Sequence, residues 1–314
     1  MRAFVLSGGS VLGAAQVGAL RALLEHDIWP DLLVGTSAGA LNAAYLAGDC
    51  SLAQVERLAN VWQVVTRADV YPGNHLEVGW RLCAGADSLY DNRKFHHFLQ
   101  QNGILPTTTF GDLSGAACRV TATHLQSGRL HVFGEDPADT VLDALMASTA
   151  LPPLHAPWPI DGERYIDGGM VAPLPVQVAL AHGATEIYAL HVLADGSARQ
   201  AEQPIRGVPA VLVHSIGMSM QSLVEHDLAR AAQTPGVHLH DIKLRIAETP
   251  DLIDFSHANR LFEIGYVQMC NYLHQRPAQP WQRTPAPASP QPSARPWERA
   301  TLFGAAGRLA SKPG

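Results

Sequence analysis

Long apolar runs, paired cysteines and clustered positive charge are all scarce in this chain of 314 residues. No uninterrupted stretch of 18 apolar residues occurs; even residues 208–224 are broken by His214, Ser215, Ser219, Gln221 and Ser222. That excludes an ordinary membrane-spanning helix. The four cysteines, Cys50, Cys83, Cys118 and Cys270, lie far apart without a C-x-x-C pair, so reduced core thiols are expected rather than disulfides or a zinc site. His96-His97 and His238-Leu239-His240 lack a carboxylate or cysteine partner at ligand spacing, so no metal is expected, and nothing calls for a cofactor. The whole chain carries −6, and residues 275–314 carry +5 (Arg276, Arg283, Arg295, Arg299, Arg308 and Lys312 against Glu298), which leaves −11 on residues 1–274. An acidic body without basic patches and interleaved aromatics excludes nucleic acid as a partner.

What is present suits a large folded enzyme: 47% hydrophobic residues, 16% charged, mean hydropathy +0.01, enough for one extensive core. The chain enters a strand-like run, Ala3-Phe4-Val5-Leu6, without a basic and apolar leader, so a cytoplasmic location is expected. A second apolar run, Leu32-Leu33-Val34, ends in Gly35-Thr36-Ser37-Ala38-Gly39, and a small-residue helical stretch begins at Ala40. G-x-S-x-G between a strand and a helix is the nucleophile elbow: the glycines let two backbones pass closely while the serine hydroxyl stands at a helix N-terminus. Ser37 is therefore the candidate nucleophile, and the helix N-terminus favours the negative charge that forms during acyl transfer.

Too few strands precede this elbow for an α/β-hydrolase. Between the two runs lies Ser7-Gly8-Gly9-Ser10-Val11-Leu12-Gly13, followed by Ala14, Val17, Leu20, Leu23 and Leu24 at helical spacing. Such a loop presents N–H groups to a phosphate or to an oxyanion. A dinucleotide site would need an acid at the end of the second strand, and Val34-Gly35-Thr36 has none, so the oxyanion reading is preferred. Far downstream, after a proline-rich stretch, comes Tyr165-Ile166-Asp167-Gly168-Gly169.

A glycine loop after the first strand, G-x-S-x-G after the second and a late Asp-Gly-Gly together resemble the patatin-like phospholipase family of the bacterial type. Residues 147–153 (Ala-Ser-Thr-Ala-Leu-Pro-Pro), 171–175 and 183–187 resemble further family blocks, over about residues 3–193 and more weakly to about 274. The resemblance implies an α/β three-layer sandwich around a mixed, mainly parallel sheet. It also implies a Ser-Asp dyad, with Ser37 the nucleophile and Asp167 the base that takes its proton directly. It places the oxyanion hole at the N–H groups of Gly8, Gly9 and Ser10, with Ala38 a further donor, and makes Gly13, Gly35, Gly39, Gly168 and Gly169 motif glycines. The implied activity is hydrolysis of fatty-acyl esters of a lipid through an acyl-serine intermediate.

Two residues depart from the family pattern. Ser10 stands where a third glycine is usual, and keeps its backbone donor if its φ is negative. Leu12 stands where arginine or lysine is usual. The loss of that cation implies slower turnover, a more apolar substrate or a loop held by other contacts; if Leu12 points outward, arginine there would favour anionic lipid. A catalytically weak relative that binds acyl lipids or a protein partner is the alternative function. A Ser-His-Asp arrangement would draw on His155, with His124 and His191 behind it.

Residues 51–65 read as a helix, 67–110 as a helix-rich insertion, and 119–133 as a β-hairpin about Gln126-Ser127-Gly128; a helix begins near Asp143 and a buried strand runs from Glu186. The acyl hydrolase domain is expected to span 1–274. From 275 to 314 the chain is rich in proline and alanine, and reads as a disordered tail. It is either a solvated segment or, through its basic residues with Trp297, Leu302, Phe303 and Leu309, a peripheral contact with an anionic membrane.

Overall fold

The computed structural model describes residues 1–194, 205–247 and 253–275, so the expected tail lies outside the described residues. Eight strands follow in chain order: β1 (Arg2–Leu6), β2 (Leu32–Thr36), β3 (Ala117–His124), β4 (Leu130–Phe133), β5 (Trp158–Ile160), β6 (Glu163–Asp167), β7 (Glu186–Ala194) and β8 (His238–Ile246). They form one mixed sheet in the order β5-β6-β3-β2-β1-β7-β8, with β4 paired to β3. The pairs β1/β2, β1/β7, β2/β3 and β7/β8 are parallel, whereas β4 and β6 run antiparallel to β3.

The central strands alternate between two cores because successive side chains point to opposite faces. Phe4, Leu6, Leu33, Tyr188 and Leu190 face one core; Ala3, Val5, Leu32, Val34, Ile187 and Ala189 face the other. Helices cover both faces, which is why these strands read as continuous apolar runs. The helices are α1 (Gly13–Glu25), α2 (Ala38–Ala47), α3 (Leu52–Val64), α4 (Arg67–Val70), α5 (His75–Cys83), α6 (Arg93–Gln101), α7 (Val141–Ser148), α8 (Val176–Ala181), α9 (Val208–Ala232) and α10 (Ala258–Gln275). The first core is closed by α1, α2, α3, α7 and α10, the second by α8 and α9, giving the three layers.

The last helix is part of this body. A Cβ on Gly18 of α1 would stand 1.9 Å from the carbonyl oxygen of Phe262, and one on Gly265 of α10 would stand 1.8 Å from that of Ala15. The two helices thus cross backbone on backbone, with α10 packed over the helix that follows the glycine loop. None of the four cysteines is in a disulfide; Cys50 and Cys118 are buried as expected, but Cys83 is exposed and Cys270 only partly covered. Cys83 ends α5, a helix none of whose described side chains is buried, and so it has no core to join.

Candidate active site

The C-terminal ends of the parallel β1 and β2, together with the end of antiparallel β6, carry the site. At the end of β2 the chain turns into α2 with only Ser37 between them, at φ 55° and ψ −123°. A positive φ on a residue with a side chain is strained and is held by its surroundings. Those surroundings admit no Cβ on either flank: one on Gly35 would lie 2.3 Å from the Gly39 carbonyl oxygen, and one on Gly39 would lie 2.4 Å from that of Leu6. The Ser37 amide donates to the hydroxyl of Ser148 at 2.8 Å. Ser148 is fully buried at the end of α7.

Asp167 ends β6 and is 2% exposed. Its backbone is fixed twice over: its N–H donates to the Ala150 carbonyl at 3.0 Å, and its own carbonyl accepts from the Thr123 hydroxyl at 3.0 Å. The carboxylate accepts from the Gly169 amide at 2.7 Å and from the Ser37 hydroxyl, so the elbow serine and the late aspartate meet. Burial pushes the Asp167 carboxyl up to about 6, against those two hydrogen bonds, which pull it down. A Cβ on Gly168 would meet the Thr121 carbonyl at 2.4 Å, and one on Gly169 the Met220 methyl at 2.7 Å, so both motif glycines are close-approach positions.

The loop after β1 lies alongside. A Cβ on Gly8 would stand 3.3 Å from that of Ser37. The Gly8 N–H, however, donates to the Pro173 carbonyl at 3.1 Å, so Gly8 provides close approach rather than an oxyanion donor. Gly9, Ser10 and Ala38 remain as the candidate donors. Ser10 does not have the negative φ that would suit a serine: its φ is 49°, the left-handed region in which glycine is at home. Its side chain is hydrogen-bonded to Tyr71.

Leu12 is not outward-facing: it is 4% exposed in the main core. Other contacts hold the loop. Gln16 of α1 donates to the Ser7 carbonyl at 2.9 Å, Asn42 of α2 donates to the carbonyls of Gly13 and of the Gln16 side chain, each at 2.9 Å, and the Trp62 indole donates to Asn42 at 2.8 Å. These groups are buried and fully engaged, so they fix the loop without a charge. Gly13 sits where a Cβ would lie 2.8 Å from that of Ala38, tying loop to elbow. Ser148 lies in the block at residues 147–153 without having been given a role there, and Gln16 and Asn42 carry no motif. Their one sequence signal is polarity inside otherwise apolar helices.

His155 is 3% exposed, with its ring nitrogens 2.7 Å from the Val70 carbonyl and 3.3 Å from that of Thr149. Burial lowers its basicity, and it stacks on Tyr71 at 5.1 Å. It braces the insertion rather than facing Ser37. His124 pairs with Glu163 and His191 lies beside Asp241. Among the described residues no group of three or more His, Cys, Asp or Glu is placed to hold a metal ion.

The chain is similar to known proteins over this same region. Residues 4–180, more than half of it, match the family model for patatin-like phospholipase. It is 31% identical over 197 residues to patatin-like phospholipase domain-containing protein 7 of Rattus norvegicus, covering 60% of this chain and 13% of the relative. To the lysophospholipase nte1 of Aspergillus niger it is 26% identical over 299 residues, covering 86% of this chain and 18% of that one. It thus spans less than a fifth of the length of these relatives. Among solved structures, VipD from Legionella pneumophila aligns with a TM-score of 0.48 at 18% identity, over 87% of this chain and 67% of that one.

Proposed function

Because the chain belongs to the patatin-like phospholipase family, we propose that it is a lipid acyl hydrolase that works through a Ser37–Asp167 dyad. The observation that carries the reading is the pairing of a strained elbow serine with a buried carboxylate whose pKa is pushed up to about 6. Ordinary aspartate is a poor base for a hydroxyl; a buried one is better matched to that task near neutral pH.

In the proposed cycle Ser37 Oγ attacks the carbonyl carbon of a fatty-acyl ester while its proton passes to the Asp167 carboxylate. The carbonyl oxygen gains the charge and is held by the N–H groups of Gly9, Ser10 and Ala38 beside the N-terminus of α2. The intermediate collapses, Asp167 gives its proton to the departing alcohol oxygen, and the acyl group stays on Ser37. Water then attacks the acyl-serine as Asp167 takes its proton, and on collapse Asp167 returns that proton to Ser37 Oγ, which releases the fatty acid and restores the hydroxyl.

The direct test is labelling with a fluorophosphonate probe, read by peptide mass spectrometry. Modification of Ser37, lost in Ser37→Ala, supports the hydrolase; a folded protein that is neither labelled nor able to release fatty acid from any lipid ester supports the non-catalytic lipid binder. The strained Ser10 in the oxyanion loop is the observation on that second side.

A further inference from the structure

Helix α5 is built inside out. Its arginine is the anchored side chain: Arg81 donates from Nε to the Ser88 carbonyl at 2.9 Å and from Nη2 to the Ser88 hydroxyl at 3.0 Å, and Ser88 is buried. Three of its apolar residues face solvent, with Leu76 85%, Trp80 73% and Leu82 64% exposed, while Val78 is partly covered. A water-facing helix normally shows the reverse arrangement, and an uncovered apolar surface of this kind marks an interaction site.

Both ends of the segment are fixed to the body near the candidate active site. Tyr71, before the helix, is hydrogen-bonded to Ser10 of the oxyanion loop and packs on Tyr90 at 5.5 Å. Past the helix, the Leu89 and Tyr90 amides donate to the carbonyls of Pro153 and Leu154 at 2.8 and 2.9 Å. The segment that carries the helix is therefore tied on one side to the glycine loop and on the other to the stretch that leads into β6.

The occupant is specified by chemistry. A depression of about 620 Å³ beside α5 is lined by Leu76, Trp80 and Leu89 together with the cations Arg81, Arg93 and Lys94 and the acids Glu77 and Asp91, the last of which pairs with Arg93, so apolar surface and balanced charge share one rim. Residues 67–94 contain four basic side chains (Arg67, Arg81, Arg93, Lys94) and four acidic ones (Asp69, Glu77, Asp87, Asp91), which leaves the −11 of residues 1–274 entirely to the rest. This neutral, indole-bearing segment approaches a phosphate-bearing surface with less repulsion than the acidic body as a whole. We propose that α5 docks the protein on a phospholipid surface, with Leu76, Trp80 and Leu82 entering the boundary between head groups and acyl chains. The docking stands on the helix itself; only the delivery of an ester to Ser37 rests on the hydrolase reading.

Full-length Ser37→Ala protein, which cannot consume lipid, is sedimented with phosphatidylcholine vesicles and compared with the same chain carrying Leu76→Ser, Trp80→Ser and Leu82→Ser. The docking helix predicts at least a tenfold loss of vesicle affinity, with an unchanged melting curve and weak dependence on salt. Brominated acyl chains should quench part of the tryptophan fluorescence, and Trp80→Phe should remove that part. With Ser37 intact, the triple variant should keep its rate on a short soluble ester within about twofold. Equal vesicle binding by both proteins overturns the proposal, as does quenching untouched by Trp80→Phe. So does a wild-type dimer that the triple substitution dissolves, because the occupant would then be a second copy. Failure of the Ser37-containing protein on every ester would sink the hydrolase reading while leaving the vesicle comparison to decide the docking.

Discussion

The amide of Ser37 donates to the hydroxyl of Ser148 across 2.8 Å, linking the elbow to the last residue of α7. At this turn the Ser37 peptide is held in a strained conformation, and its part-buried N–H has been given a side-chain partner. The two residues lie on different elements, so the contact couples the packing of α7 to the aim of the nucleophile.

Ser148→Ala should leave the Ser37 amide without that partner, and a buried donor stranded in this way costs about 1–3 kcal/mol. The expected outcome is a lower melting temperature together with a fall in kcat that exceeds any change in KM, because the hydroxyl attacks from a looser turn. Wild-type kcat in a folded Ser148→Ala protein would show that the contact serves stability alone.

Ser10 gives a comparison within one position. At φ 49° alanine keeps the backbone strain and loses the hydrogen bond to Tyr71, whereas glycine loses the bond but relieves the strain. Ser10→Gly should therefore be more stable than Ser10→Ala by about 1 kcal/mol and retain more activity. Denaturant midpoints of the two variants decide it; equal midpoints would mean that the left-handed conformation is not enforced in solution.

Leu12→Arg should destabilise the protein by about 3 kcal/mol or more rather than improve turnover of anionic lipid, because the side chain is buried in the main core. A folded, unimpaired arginine variant would show that the loop can turn residue 12 out to solvent.

The elements that carry chemistry were legible where backbone sterics dictate residue type. Gly35, Gly39, Gly13 and Gly168 stand where a Cβ would meet neighbouring atoms at under 3 Å, so the fold writes them directly into the sequence. The strands β1, β2 and β7 were legible because burial on both faces demands unbroken apolar runs. Three features were not. The burial of Leu12 depends on α1 packing under α10, whose Gly265 lies some 250 positions away (265 minus 12). The engagement of the Gly8 N–H depends on the carbonyl of Pro173, a backbone group that any residue would supply. The inverted α5 has the amphipathic composition of an ordinary surface helix, and only the anchoring of Arg81 on Ser88 reveals which side faces out.

The crossing of α1 and α10 makes a stability prediction. Gly265→Val should force two helix backbones apart, since even a Cβ there would stand 1.8 Å from the Ala15 carbonyl oxygen. A loss of about 3 kcal/mol or more is expected, in the range of severe overpacking. Because α1 begins at the glycine loop, the variant should also lose activity before it unfolds globally. Thermal melts read alongside soluble-ester turnover test both parts, and a variant with an unchanged melt would mean that α10 is not docked as described.

Asp167 ties activity and stability to pH in opposite directions. Its carboxyl is buried and its pKa is pushed from 3.8 up to about 6, so in the folded state the ionised form is the disfavoured one. The folded protein therefore holds this proton more tightly than the unfolded chain does. The stability it contributes is full below about pH 4 and is lost as pH rises through about 6, a penalty on the order of 3 kcal/mol at neutral pH. The proposed catalysis needs the opposite state, because in it only the carboxylate can accept the Ser37 proton, so kcat/KM on a soluble ester should rise with pH through about 6. Asp167→Asn keeps an acceptor for the Gly169 amide but never ionises. It should be inactive, as Ser37→Ala should be, and the double variant no worse than either. It should also be more stable than the wild type at pH 7.5, with the advantage closing towards pH 4. A pH-independent rate between 4.5 and 7.5, or an asparagine variant less stable than wild type at pH 7.5, would remove Asp167 from the role of buried base.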